Sequence, residues 1–239
     1  MKRVISIFAI FLIVLCTACI YKKFEEKEKN IYYLALGDSL AAGLDSYGDY
    51  GHGYADYINE YLKEKDKLEF YTRKFAKSGY EVNDLIRDIN NNREITIDDE
   101  KITIQNALVK ADFITLSIGS NDVINAFEDD IDIDTAIDEM LIRIDELFQM
   151  LRHYSKEKIV VTGYYNPYQF NLNWNSKIKR GNIRLKKIAE KYDIIYIDIF
   201  EIFKDNTYLP NSMDPHPSSE GYKKVSEKII EEVGDDLWN

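Results

Sequence analysis

Gly37-Asp38-Ser39-Leu40 follows directly on the apolar run Ile31 to Leu36 and leads into Ala41-Ala42-Gly43. A serine therefore stands where a strand gives way to a turn. A hydroxyl in that position lies at the mouth of a sheet, close to backbone amides and to the start of a helix whose partial positive charge favours an oxyanion. Acyl transfer needs its nucleophile in such a place, although a small residue there can equally serve only as a helix cap. Serine is a weak nucleophile until a base accepts its proton, and histidine has the pKa for that task near neutrality. The chain holds three histidines. His52, between two glycines in the loop after the serine, reads as a mobile loop residue, and His153, after an apolar stripe ending at Leu151, reads as a helix-end residue. His216 stands in Asp214-Pro215-His216-Pro217.

The elements that must position these groups are visible as alternating patterns. Strand-like apolar runs occur at Ile31 to Leu36, Leu68 to Phe75, Ala111 to Ile118, Lys158 to Gly163 and Asp193 to Ile197, separated by segments of helical period. That alternation predicts a parallel sheet covered by helices. Ile137, Leu141, Ile144, Leu147, Phe148 and Leu151 recur at helical spacing, as do Ile178, Leu185, Ile188 and Ala189, and both stripes should face the core. In open parallel sheets, sites form beyond the carboxyl ends of the strands. Ser39, Gly79 of Ala76-Lys77-Ser78-Gly79, and Asn121 of Gly119-Ser120-Asn121-Asp122 all fall there. The pattern yields the number of strands but not their order.

Taken in order, Gly37-Asp38-Ser39-Leu40, Ala76-Lys77-Ser78-Gly79 with Asp84-Leu85, Gly119-Ser120-Asn121-Asp122, and Asp214-Pro215-His216-Pro217 with Gly221-Tyr222 resemble the blocks of the SGNH/GDSL hydrolase family. The likeness spans nearly the whole chain after its leader. It implies an α/β fold, a three-layer α/β/α sandwich with five parallel strands in the flavodoxin-like order 2-1-3-4-5. It further implies Ser39 as nucleophile and His216 as base, with the backbone amides of Ser39 and Gly79 and the side-chain amide of Asn121 as oxyanion donors.

One position departs from the family. There the aspartate lies three residues before the histidine, whereas here Met213 holds that place and Asp214 stands two before. In an extended strand, two-residue spacing keeps both side chains on one face; a turn held by Pro215 and Pro217 could instead bring Asp214 to the imidazole. Failing both, His216 would rely on a backbone carbonyl and work in a dyad. Asp38 and Asp122 flank the catalytic positions and should brace loops by accepting from backbone amides. Tyr164, Tyr165, Tyr168, Phe170 and Trp174 follow a strand and should lie near the rim of the site, to hold an acyl chain, to stack on a sugar, or to pack beneath a loop.

The chain opens Met1-Lys2-Arg3, runs apolar from Val4 to Leu15 and continues Cys16-Thr17-Ala18-Cys19, the layout of a bacterial secretory signal. Thr17 and Ala18 before Cys19 resemble a lipobox, from which Cys16 departs because an aliphatic residue is usual there. The expected organisation is a lipoprotein-type signal peptide over 1–18, a tether over 19–30 beginning at a lipidated Cys19, and one hydrolase domain over 31–239. An uncleaved anchor from Val4 to Ile20 is the alternative. Either places the domain outside the cytoplasm, on the cell membrane. Both cysteines lie in the leader, so no disulfide or cysteine-metal site is expected. A net charge of -11 argues against a nucleic-acid surface. Asp130, Asp132 and Asp134 alternate as in a calcium loop, but Thr135 and Leu141 stand where that loop needs glycine and glutamate, so they read as an acidic loop entering a helix. Lys177, Lys179, Arg180, Lys186 and Lys187 read as a solvated helix face.

The sequence thus points to a lipid-anchored, extracytoplasmic, monomeric serine hydrolase that cleaves carboxylic esters through an acyl-enzyme, with no metal or organic cofactor. Its substrate would be an ester of lipid or of acylated cell-wall carbohydrate, since the family contains lipases and esterases as well as carbohydrate deacetylases. A non-catalytic lipoprotein that binds glycan or lipid is the reading from another class, and the displaced aspartate is its support.

Overall fold

The computed structural model describes residues 30–167, 173–204 and 206–234. The expected signal peptide, Cys19, almost all of the tether, and Tyr168 and Phe170 lie outside them. The chain forms strand β1 (Ile31–Gly37), the helical turn α1 (Ser39–Ala42), α2 (Tyr54–Glu64), β2 (Leu68–Thr72), α3 (Val82–Asn90), β3 (Glu94–Ile97), β4 (Glu100–Thr103) and α4 (Ile104–Lys110). It continues with β5 (Phe113–Ser117), α5 (Ser120–Glu128), α6 (Ile133–Tyr154), β6 (Lys158–Thr162), α7 (Asn173–Lys191), β7 (Ile195–Ile197) and α8 (Ser219–Val233).

The parallel sheet runs β2-β1-β5-β6-β7. It differs from the expected 2-1-3-4-5 in that two further strands intervene in the chain and form a separate antiparallel hairpin, β3-β4. The hairpin turns on Asp98 and Asp99, both with positive φ (48° and 67°), the geometry of a tight primed turn that aspartate tolerates.

Strand β1 is buried along all seven residues, as helices on both faces require. Its side chains alternate between two cores. Tyr32, Leu34 and Leu36 pack with α3, α4, α6 and α7, while Ile31, Tyr33 and Ala35 pack with α2 and α8. Truncating one such residue, Leu36 for example, would cost about 2–5 kcal/mol through lost burial and the cavity left behind. The apolar stripe from Ile137 to Leu151 lies on α6, a helix of 22 residues whose buried side follows that spacing. Asp132 caps it by accepting from Asp134 N at 2.9 Å and Thr135 N at 3.3 Å.

What matters for function is the register at the sheet centre. Gly37 pairs with Ser117, so β1 and β5 end at one level and the segments after them start side by side. Chain order also reverses across β1, with β2 on one side and β5 on the other, which opens a crevice at the carboxyl edge.

Candidate active site

The turn after β1 is built by three successive residues. Gly37 has φ 121°, and a Cβ there would collide with the Ser117 carbonyl, so only glycine lets β1 turn against β5 at this point. Asp38 N donates to Ser117 O at 2.8 Å. Asp38 Oδ1 accepts from Leu40 N and from Ser117 Oγ, each at 3.0 Å, so one carboxylate caps α1 and staples it to the neighbouring strand. Burial pushes this carboxyl up to about 7, against the pull of those two hydrogen bonds. Ser39 is the first residue of α1, where an amide has no intrahelical partner. Because α1 is a single turn, the helix field expected from sequence is small, and oriented amides are the relevant donors. Beyond α1, Arg73 fixes the loop: its guanidinium donates to Ala42 O and to Gly51 O (3.1 Å) and pairs with Asp56 at 3.2 Å.

His216 approaches from the loop before α8. Its Nε2 lies 2.7 Å from Ser39 Oγ, and its Nδ1 lies 2.7 Å from Asp214 Oδ1. The same Oδ1 accepts from His216 N at 2.9 Å. The carboxylate therefore closes an Asx turn over its own chain, which is how a two-residue spacing reaches the imidazole. Of the geometries compatible with the sequence, the turn is the one adopted. Asn211 forms a similar turn just upstream, accepting from Met213 N at 3.1 Å through its side chain and from Asp214 N at 3.1 Å through its carbonyl. Met213, at the family's usual aspartate position, is 77% exposed and points away. Tyr165 donates its hydroxyl to Pro215 O and pins the segment from below. With a carboxylate on Nδ1, that nitrogen carries the proton and Nε2 is left to accept from the Ser39 hydroxyl.

The expected oxyanion segments are tied to each other and to β1. Lys77 N donates to Gly37 O at 2.9 Å. Asn121 Nδ2 donates to Tyr80 O at 2.9 Å, which orients the amide and leaves its second N–H available. Asp122 Oδ2 accepts from Val82 N at 3.0 Å, with Arg143 3.5 Å from Oδ1. Burial pushes the Asp122 carboxyl up to about 6. Asp38 and Asp122 thus brace loops as their positions suggest. Gly79 has φ 80°, with open space where a Cβ would be. The glycine is required by backbone conformation, not by crowding.

A narrow pocket opens from Ser39 and Asn121 and runs between α5, α6 and α7. Ile137 and Ile178, read from periodicity as core residues, are both core and pocket wall. Tyr164, Tyr165 and Trp174 line it, as their position after β6 suggests. The sequence reading missed Ser117 and Met140. Ser117 carried a signal, as a hydroxyl ending a buried strand directly before the Gly119-Asn121 block; Met140 carried none, because a pocket wall and a core share one period.

Other candidates lie apart from this site. His52 pairs with Glu60 at 3.1 Å and meets the Tyr57 ring edge-on, so it is held and not a free loop residue. His153 stands in the last turn of α6. Lys177 pairs with Asp132 (3.3 Å) and Asp134 (2.7 Å), and Arg180 with Asp134 (2.7 Å). The acidic loop and part of the basic helix face therefore pair across α6 and α7, while Lys179, Arg180, Lys186 and Lys187 are exposed, as a solvated face requires.

The sequence profile of the GDSL-like Lipase/Acylhydrolase family matches residues 35–224. The chain is 26% identical to the spore germination lipase LipC of Bacillus licheniformis over 212 residues, covering 84% of this chain and 95% of that protein. Among solved structures it is similar to the lipase Lip_vut3 from a goat rumen metagenome, with 25% identity, a TM-score of 0.71, and coverage of 86% and 98% of the two chains. The acetylxylan esterase Axe2 of Geobacillus stearothermophilus shares the fold at 19% identity and a TM-score of 0.63, with 87% and 96% covered.

Proposed function

Because the chain belongs to the GDSL-like lipase/acylhydrolase family, a family of ester hydrolases, we propose that it cleaves carboxylic esters by a serine mechanism in which Ser39 is the nucleophile. The observation that carries this reading is the unbroken line from Ser39 Oγ to His216 Nε2 and from Nδ1 to Asp214, with 2.7 Å at each link. As Ser39 Oγ bonds to the ester carbonyl carbon, its proton passes to Nε2, and the imidazolium that forms is stabilised by Asp214. The carbonyl oxygen takes the electron pair as an oxyanion, received by the amides of Ser39 and Gly79 and by Asn121 Nδ2. Collapse expels the alcohol, which takes the proton from Nε2 and leaves an acyl-Ser39. Water then repeats the sequence, giving the acid and the free serine.

The anchoring of the protein is part of the same proposal. Its support is the leader-like sequence before Cys19, and what it proposes is lipidation at that residue, an extracytoplasmic position and one domain over 31–239. Globomycin-sensitive incorporation of labelled palmitate tests the lipidation, and sedimentation of the solubilised protein tests the monomer.

Hydrolysis of p-nitrophenyl esters by the full-length protein in detergent, compared with Ser39→Ala and His216→Ala, tests the chemistry. Loss of activity in both variants is expected. Activity retained in Ser39→Ala would overturn the mechanism.

A further inference from the structure

The pocket continues well past the space that a serine, an imidazole and an ester carbonyl occupy. The polar side chains Asp38, Ser39, Ser120 and Asn121 lie at its Ser39 end. Beyond them the wall is made by Ile124 of α5, Ile133, Ile137 and Met140 of α6, and Trp174 and Ile178 of α7. Even the two tyrosines present ring carbon, because Tyr164 OH is engaged by Ile118 O at 3.0 Å and Tyr165 OH by Pro215 O. A sugar needs several convergent donors and acceptors, whereas among the described residues this stretch is walled almost entirely by apolar side chains. A hydrocarbon chain needs only apolar area and room.

A second cavity lies beside the first. Lined by Phe127, Ile131 and Lys177 among others, it shares two residues with the first, Ile133 and Trp174. Both cavities thus border on these two side chains, with the Phe127 ring set edge-on against Trp174 at 4.8 Å and 80°. From Ile133 to Met140, and from Trp174 to Ile178 and one turn beyond, the helices present about 10 Å of wall.

We propose that this pocket receives the acyl chain of the substrate, an unbranched hydrocarbon of roughly six to ten carbons matched to that wall, and that Ile133 and Trp174 set its length. The inference rests on the ester-hydrolase reading of Ser39, and it makes the acyl side, not the alcohol side, the source of selectivity.

The test is the chain-length profile of kcat/KM for p-nitrophenyl acetate, butyrate, octanoate, decanoate and palmitate, with full-length protein in detergent. Each buried methylene should raise kcat/KM about fourfold, so octanoate should exceed acetate by about 4,000-fold if all six extra methylenes are buried, chiefly through KM. Trp174→Ala should open the pocket toward the second cavity and raise the palmitate-to-octanoate ratio at least about tenfold. Ile133→Ala should raise it in the same direction, and it carries the test if Trp174→Ala does not fold. A profile that peaks at acetate, or ratios unmoved in a folded variant, would overturn the inference while leaving the hydrolase standing. Decanoate binding to Ser39→Ala by calorimetry separates the two claims: binding without any hydrolysis by the unmodified protein would keep the pocket and sink the hydrolase, and no binding would sink the pocket.

Discussion

Asp214 Oδ1 accepts from both the backbone N–H and the ring Nδ1–H of His216, at 2.9 and 2.7 Å. One oxygen thus fixes the chain and the imidazole together. The argument for a non-catalytic binding protein rested on the displacement of this aspartate by one position, and the turn removes it, since the displaced residue makes the contact. Asp214→Asn should lower kcat roughly 10³- to 10⁴-fold with KM changed only severalfold, because imidazole orientation and imidazolium stabilisation are lost together. Adding Met213→Asp to that variant should not restore turnover, as position 213 faces solvent. Ester hydrolysis near the normal rate in Asp214→Asn would mean that His216 works without it.

Asn121 receives its orientation from Tyr80 O and Gly79 takes its role from a backbone that only glycine adopts easily. Asn121→Ala should therefore cost roughly 10²- to 10³-fold in kcat, with little loss of stability. Gly79→Ala should cost about 1–2 kcal/mol of stability through its left-handed φ, together with a loss of turnover. Parallel kinetics and denaturant melts distinguish the two patterns. Unchanged kcat in Asn121→Ala would remove that residue from the oxyanion site.

Gly37 is a different case, since its substitution meets backbone and not empty space. A methyl group there strikes the Ser117 carbonyl, so Gly37→Ala should separate β1 from β5 at the site. The expected loss is about 3 kcal/mol or more, read as a lower denaturation midpoint or as failure to accumulate folded protein. A midpoint close to that of the unmodified protein would contradict the packing described for the strand ends.

The Asp38 carboxyl gives a pH-dependent prediction. Its folded pKa of about 7 lies above its ordinary 3.8, so the folded state holds the proton more tightly. The resulting stabilisation is fully present below about pH 4 and is lost as pH rises through 7. Asp38→Asn cannot ionise, yet its side-chain oxygen can still accept from Leu40 N and Ser117 Oγ. The unfolding free energy of the unmodified protein relative to Asp38→Asn should fall by on the order of a few kcal/mol between pH 4 and pH 8. Denaturant titrations across that range check it, and a difference independent of pH would contradict the assignment.

Much of this architecture is legible in residue order because the fold uses simple periods. The runs at 31–36, 111–118 and 158–163 are near-continuous apolar stretches, and each became a central strand buried on both faces. The run from Leu68 stops as a strand at Thr72 because Arg73 turns to hold Ala42 and Gly51. The β3-β4 hairpin left a weak sign, Ile95, Ile97 and Ile102 around Asp98-Asp99, in a half-exposed ribbon outside the main sheet. The site divides similarly. Ser39, Asn121 and His216 follow strand ends or precede a helix, where type and spacing carry the information. The Asp214 turn depends on backbone angles over four residues, and the pocket depends on gaps between helices whose apolar period looks the same whether it faces a core or a cavity.

The central claim is that Ser39 is the nucleophile activated by His216. The direct measurement is intact-mass analysis of the full-length protein after reaction with a fluorophosphonate, followed by mapping of the modified peptide. A single adduct on Ser39, lost in Ser39→Ala and strongly slowed in His216→Ala, is the predicted result. Ester hydrolysis that persists in Ser39→Ala, or an adduct on another residue with Ser39 unmodified, would contradict it.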